Sequence, residues 1–224
     1  MSERFDRLEW SRAVTGPHSG QAVLTAGVPI EAARIAVVLI HGRGATADDL
    51  LPLRNEWRAE QVSFLAPQAA DFAWYPHSFL APLEANQPHL DSGLELIGAL
   101  SDEVSSRGVP RERQLLLGFS QGGCLALEFA GRNACKWGGV VGLSEGLIGP
   151  PGRDWAFTGS LDGAPVFLGC SDHDPHIPRE RVEASAIELR RIGGEVESRL
   201  YSEFGHSVNR DELSYVQGML DRLA

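Results

Sequence analysis

A doubly wound α/β fold, with a mostly parallel central sheet and helices on both faces, is predicted by three features of the 224-residue chain. The run Ile35-Ala-Val-Val-Leu-Ile40 is apolar at every position, the pattern of a strand buried on both faces. From there to the C-terminus, short β-branched or leucine-rich runs alternate with longer stretches of helical period. The 25 glycines and 13 prolines suit a chain with many tight connections between short elements.

Ahead of the first buried strand, residues 10–28 alternate loosely and carry turn signals at Thr15-Gly16-Pro17 and Ser19-Gly20, which predicts a small antiparallel hairpin at a sheet edge. After the strand at 35–40, Thr46 stands as an N-cap, with Asp48 and Asp49 in the first helical turn and apolar spacing through Leu50, Leu53 and Trp57. Strand 61–66 completes a βαβ unit. Helix 91–106, strand 114–118, helix 121–132, strands 137–143 and 165–169, helix 179–192, strand 195–201 and helix 210–222 continue the alternation. No repeat or Ser/Pro-rich linker interrupts it, so residues 1–224 are expected to form one domain.

Two connections are longer than usual. Residues 67–90 carry Trp74, Tyr75 and Phe79; residues 144–164 carry Leu147 and Ile148. Long aromatic or apolar loops in a small domain are more often functional than disordered, so these five side chains are the expected substrate walls. The second connection is too short for a separate cap domain.

Charge and cysteine usage exclude several classes. With 20 Lys+Arg against 30 Asp+Glu the net charge is -10, which repels phosphate backbones and anionic bilayers, so no nucleic-acid partner is expected. The sole lysine, Lys136, precedes Trp137 and cannot serve a GK[ST] phosphate loop. Cysteines 124, 135 and 170 are odd in number and lack C-x-x-C spacing, which argues against a disulfide framework or zinc ribbon and for a reducing cytoplasm. The N-terminal stretch has no apolar signal core and the longest apolar run is six residues, so neither export nor stable membrane insertion is expected.

The chemistry gathers around Gly118-Phe-Ser120-Gln-Gly122. G-x-S-x-G alone is a weak signal, but here it follows a Leu-rich strand and opens a helix, where a serine on a strained turn needs neighbours without Cβ atoms. A nucleophilic serine needs a base at the same sheet edge. His206, between strand 195–201 and the last helix, occupies that place. The acid should follow strand 165–169, in Cys170-Ser-Asp172-His-Asp174-Pro-His-Ile-Pro178. Asp174 precedes Pro175, which restricts its backbone and favours it over Asp172 as a fixed carboxylate. A metal site built from Asp172, His173, Asp174 and His176 is the competing reading, but Pro175 and Pro178 deny these residues a common helix face, and no metal or other cofactor is expected. Donors for an oxyanion are available at the Gln121 N–H and at the Arg43 N–H of His41-Gly42-Arg43-Gly44, directly after the first buried strand.

LIHGRGA (39–45), APQAADFAWYPHSF (66–79), GFSQGG (118–123), LSEGLIGP (143–150), GCSDHDPHIP (169–178) and FGHSVNRDEL (204–213) together resemble the phospholipase/carboxylesterase branch of the α/β hydrolases, which includes acyl-protein thioesterases. The resemblance implies a small, lidless α/β-hydrolase fold with Ser120, Asp174 and His206 as its triad and no cofactor. It also implies that the SEGLIGP segment borders the acyl pocket, with a small residue expected where this chain has Glu145. The expected activity is serine carboxylic-ester hydrolysis of short to medium acyl esters. Thioesters and lysophospholipids are alternative substrates, other acyl acceptors could replace water, and a non-catalytic ligand-binding relative is the alternative of another class. The expected partners are a small-molecule ester and, at most, a second copy of the chain in a homodimer.

Overall fold

A strand buried on both faces needs a neighbour on each side and a helical layer above and below. The computed structural model, which describes residues 5–224, supplies all of these to Ile35–Ile40. Eight strands form one sheet: β1 (Asp6–Arg7), β2 (Val23–Gly27), β3 (Ile35–Ile40), β4 (Val62–Pro67), β5 (Gln114–Phe119), β6 (Gly139–Leu143), β7 (Pro165–Ser171) and β8 (Glu195–Tyr201), in the order β1-β2-β4-β3-β5-β6-β7-β8. Strands β3 to β8 are parallel to their neighbours, while β2 runs antiparallel to both β1 and β4. Every residue of β3 is buried, as its unbroken apolar run requires.

Helices α2 (His89–Ser106), α3 (Gln121–Arg132) and α4 (Arg179–Arg191) contribute to an apolar cluster on one face of the sheet; α1 (Ala47–Leu50) and α5 (Arg210–Leu223) contribute to the cluster on the other. The stripe Leu90, Leu94, Ile97, Leu100 and Val104 of α2 is buried at helical spacing, and each such side chain contributes about 1.5–3 kcal/mol of burial.

The chain moves from β3 outward to β4, then returns past β3 to β5. This reversal opens a crevice at the C-terminal ends of β3 and β5, where open α/β sheets bind ligands.

Two elements differ from expectation. The edge pair is β1 with β2, in the register Asp6↔Thr25, rather than a hairpin within 10–28. Residues 16–18 are a 3-10 turn, and β2 is fixed by pairing with distant β4 through Thr25↔Leu65. The helix after Thr46 stops at Leu50 and continues as a 3-10 helix, Leu51–Glu56. Pro52 has no N–H to give to an α-helical ladder. The start is as expected, with the Asp49 carboxylate accepting from the Thr46 N–H and hydroxyl at 2.6 and 2.9 Å.

Candidate active site

Ser120 sits between β5 and α3 with φ 53° and ψ −120°, a backbone conformation costing about 1–3 kcal/mol for a residue with a side chain. It is held there from both sides. Its N–H donates to Leu143 O on β6 at 2.8 Å, and its carbonyl accepts from Cys124 N at 3.0 Å. The turn is tight enough to demand the flanking glycines: a Cβ on Gly118 would lie 2.2 Å from Gly122 O, and one on Gly122 would lie 2.0 Å from Ile40 O. The G-x-S-x-G spacing therefore follows from how closely α3 passes the ends of β3 and β5.

Ser120 Oγ lies 2.8 Å from His206 Nε2, and His206 Nδ1 lies 2.7 Å from Asp174 Oδ2. The other Asp174 oxygen accepts the N–H groups of His176 and Ile177 at 2.8 and 3.1 Å. Burial pushes the Asp174 carboxyl upward, but the His176 N–H, the His206 ring and the Ile177 N–H outweigh it and hold the group below the usual carboxylate range. An ionised carboxylate can only accept, so the proton stays on Nδ1 and leaves Nε2 to accept from the serine hydroxyl.

Asp172 points elsewhere. Its carboxylate accepts from Glu203 N at 2.9 Å, His173 Nδ1 at 2.9 Å and Ser202 Oγ at 3.2 Å, and these contacts, the Glu203 N–H first, hold it below its ordinary value. Beside it, Ser171 Oγ accepts from Phe204 N and Gly205 N at 3.2 and 3.1 Å. The two residues tie down the loop that delivers His206. The His206 ring is further packed by Phe119, at a centroid distance of 5.0 Å, and by the edge-on ring of His176 at 4.9 Å. Of the four residues of the alternative metal cluster, Asp172 thus pairs with His173 and the 202–203 segment, while Asp174 pairs with His206 and the His176 N–H.

The turn after β3 abuts the serine: a Cβ on Gly42 would lie 3.4 Å from Ser120 Cβ. Arg43 follows directly, and α3 begins at Gln121, so both expected oxyanion donors belong to backbone beside Ser120. Their surroundings hold the loop after β4 in place. His41, fully buried, bonds Gly42 O through Nδ1 at 2.7 Å and accepts Ala69 N through Nε2 at 3.0 Å; burial keeps it below the ordinary histidine value. His18, also buried, bonds Trp74 O and accepts Ala70 N. The Gln121 side chain accepts Trp74 N and donates to Tyr75 O, both at 2.8 Å. The Arg43 guanidinium donates to the carbonyls of Tyr75, Pro76 and His77. These roles for His18, His41, Ser171, His176 and the Gln121 side chain were not readable locally, because each includes a partner far away in sequence: Ala70, Ala69, Phe204, His206 and Trp74 respectively.

A cavity of about 510 Å³ opens over Ser120 and His206, with Tyr75, Phe79, Phe119, Cys124 and Ile177 on its apolar walls. Tyr75 and Phe79 thus stand where a substrate wall was expected. Trp74, Leu147 and Ile148 do not line it; all three are fully buried core residues. Trp74 turns inward to give its indole N–H to His41 O at 2.8 Å. The 147–149 backbone is drawn into the core by Arg181, which donates to Leu147 O and Gly149 O at 2.7 and 2.8 Å, and by Trp155, which donates to Ile148 O.

Glu145 does not line the cavity either. It is fully buried, neither carboxyl oxygen has a hydrogen-bond partner among the described residues, and it fills space left by two glycines, whose Cβ atoms would fall 2.5 Å from its Cδ (Gly142) and 2.9 Å from its Cβ (Gly123). Burial, reinforced by Glu212 and Asp174, pushes its pKa well above the carboxylate range.

A serine hydroxyl bonded to an Asp-supported histidine, on a strained strand-to-helix turn at the carboxyl edge of a doubly wound sheet, defines the α/β-hydrolase class. More narrowly, the chain belongs to the phospholipase/carboxylesterase family, whose model matches residues 23–223. It is 32% identical over 218 residues to acyl-protein thioesterase 1 of Yarrowia lipolytica, covering 87% of this chain and 94% of that protein. With acyl-protein thioesterase 1 of Gibberella zeae it shares 29% over 212 residues, covering 82% and 88% of the two chains. Among solved structures, a phospholipase/carboxylesterase from Dyadobacter fermentans superposes with a TM-score of 0.86 at 37% identity, over 94% of this chain and 98% of that one.

Proposed function

We propose that the protein hydrolyses carboxylic esters through an acyl-enzyme on Ser120. The observation that carries this proposal is the hydrogen-bonded chain Ser120–His206–Asp174, oriented onto a cavity at the sheet edge. His206 removes the hydroxyl proton as Ser120 Oγ attacks the ester carbonyl. The Arg43 and Gln121 N–H groups receive the oxyanion, and Asp174 stabilises the imidazolium. His206 then gives its proton to the leaving alcohol, and water, activated by the same histidine, releases the acid. The three cysteines are unpaired, which supports a reducing cytoplasm, and no described helix is long and apolar enough to cross a membrane. Residues 1–224 act as one catalytic domain, with a second copy of the chain as the only macromolecular partner this proposal accommodates.

Labelling with a fluorophosphonate, read by intact mass and peptide mapping, tests the proposal. One adduct on Ser120 is expected, with none on Ser120→Ala and ester turnover in that variant down about 10^4-fold or more. An adduct elsewhere, or a variant keeping a tenth of the activity, would overturn it.

The names of the relatives favour a second substrate class, acyl-protein thioesters. Acyl length separates the two. Each buried CH₂ is worth at most about 0.8 kcal/mol, and the 146–149 segment that could have extended the cavity is packed into the core. Across a series of nitrophenyl esters, kcat/KM is expected to rise over short to medium acyl chains and then level off; a rise sustained through palmitate would favour the thioesterase reading.

A further inference from the structure

We propose that the preferred ester carries a carboxylate, received on the rim of the Ser120 cavity by Arg43, His77 and His176. The proposal deepens the esterase reading and rests on it. The chain has 30 acidic residues against 20 lysines and arginines, yet among the described residues the cavity is lined by Arg43, His77, His176 and His206 and by no aspartate or glutamate. Behind it, Asp174 has no exposed side-chain surface and spends its oxygens on His206, two backbone N–H groups and the Cys170 thiol, and Glu145 is fully buried.

Like Arg181, Arg43 gives its guanidinium to backbone carbonyls rather than to a carboxylate. Arg107, Arg132, Arg153 and Arg199 each lie within 4 Å of a carboxylate. Arg43 instead donates to three carbonyl oxygens, at 2.9, 2.9 and 2.6 Å. Carbonyls orient a guanidinium without cancelling its charge, and three bonds leave two of its five N–H groups for a ligand. His77 is exposed and its backbone is fixed by Asn86 Oδ1 at 2.9 Å. His176 is exposed and stands edge-on to His206. The leaving oxygen must approach His206 Nε2 to receive its proton, so the alcohol arm of the ester passes beside His176. A carboxylate there adds charge-assisted hydrogen bonds without touching the reacting atoms.

The test compares ester pairs that differ only in a carboxylate: 4-nitrophenyl hemiglutarate against 4-nitrophenyl pentanoate, with the charge on the acyl arm, and 3-acetoxybenzoate against 3-acetoxybenzamide, with the charge on the alcohol arm. At pH 7 and low salt, kcat/KM is expected to favour the anion about tenfold in at least one pair, and the responding pair locates the carboxylate. The ratio should fall toward one in 0.5 M NaCl and in Arg43→Gln or His176→Asn. Because the ratio compares two substrates on the same enzyme, it does not depend on how much a variant damages the fold. Equal or higher kcat/KM for the neutral member of both pairs, with Ser120 still labelled by fluorophosphonate, overturns the inference alone. Failure to hydrolyse any of the four esters, with Ser120 unlabelled, overturns the esterase reading and this inference with it.

Discussion

Asp172 and Asp174 are two residues apart at the end of β7 and differ wholly in what they hold. Asp174 faces His206 at 2.7 Å, whereas Asp172 faces the Ser202 hydroxyl and the Glu203 N–H. Asp174→Asn is therefore expected to fold normally and lose about 10^4-fold in turnover, because the amide favours the wrong histidine tautomer. Asp172→Asn should lose far less and show its effect mainly as faster proteolysis of the 202–206 loop. Steady-state rates of the two purified variants decide it; an inactive Asp172→Asn beside an active Asp174→Asn would exchange the roles. The distinction was legible from Pro175, which fixes the backbone of the residue before it. Glu145 was less so. A glutamate beside a predicted pocket reads as a wall or a solvated side chain, and only the paired absence of Cβ atoms at Gly123 and Gly142, from two different elements, makes room to bury it.

At the scale of elements, the buried parallel strands and the helices between them were readable because each is written in contiguous residues. The loop between β4 and α2 was not, since its shape depends on side chains from elsewhere: His18, His41, Arg43 and Gln121 all bond the 69–77 backbone. The same cause explains why Leu147 and Ile148 read as pocket walls. The residues that draw their backbone inward, Arg181 and Ser185 on α4, are over thirty positions away. Gln121→Leu tests the attachment of the 69–77 loop, because it keeps the backbone N–H expected to receive the oxyanion while removing both side-chain bonds. It leaves Trp74 N–H without its partner, at about 1–3 kcal/mol, and Tyr75 C=O with Arg43 alone. A lower Tm together with a fall in kcat/KM on neutral esters is expected. An unchanged Tm would mean that the loop is held without Gln121.

Across the whole molecule, two buried carboxyls make stability depend on pH in a direction opposite to Asp174. Glu212, 1% exposed, caps α5: its carboxylate accepts Asn209 N at 2.8 Å while Oε1 has no partner among the described residues. Burial drives its pKa up to about 7, against the Asn209 N–H. Glu145, packed against Gly123 of α3 and Gly142 of β6, is likewise pushed well above the carboxylate range by burial. A carboxyl whose folded pKa lies above its unfolded value stabilises fully below the unfolded value, and that stabilisation is lost as pH rises through the folded one. For Glu212 the loss runs from about 4.5 to about 7 and is on the order of 3 kcal/mol; for Glu145 it has the same sign. Asp174, lowered when folded, contributes in the other sense, and its stabilisation disappears as pH falls below the ordinary carboxylate range. Glutamine mimics the neutral acid in both positions, and at the third position of a helix it still accepts the capping N–H. The Tm difference between Glu212→Gln and wild type should therefore grow in favour of the variant from pH 4.5 to 7 and then level. The difference for Glu145→Gln should likewise grow in favour of the variant as pH rises above the ordinary carboxylate range. Taking differences against wild type at each pH removes the self-repulsion of a chain whose net charge is already -10 at neutrality. A Glu145→Gln difference that stays constant from pH 4.5 to 8 would mean that Glu145 ionises as readily folded as unfolded, and that the protein does not hold a neutral carboxylic acid behind its candidate active site.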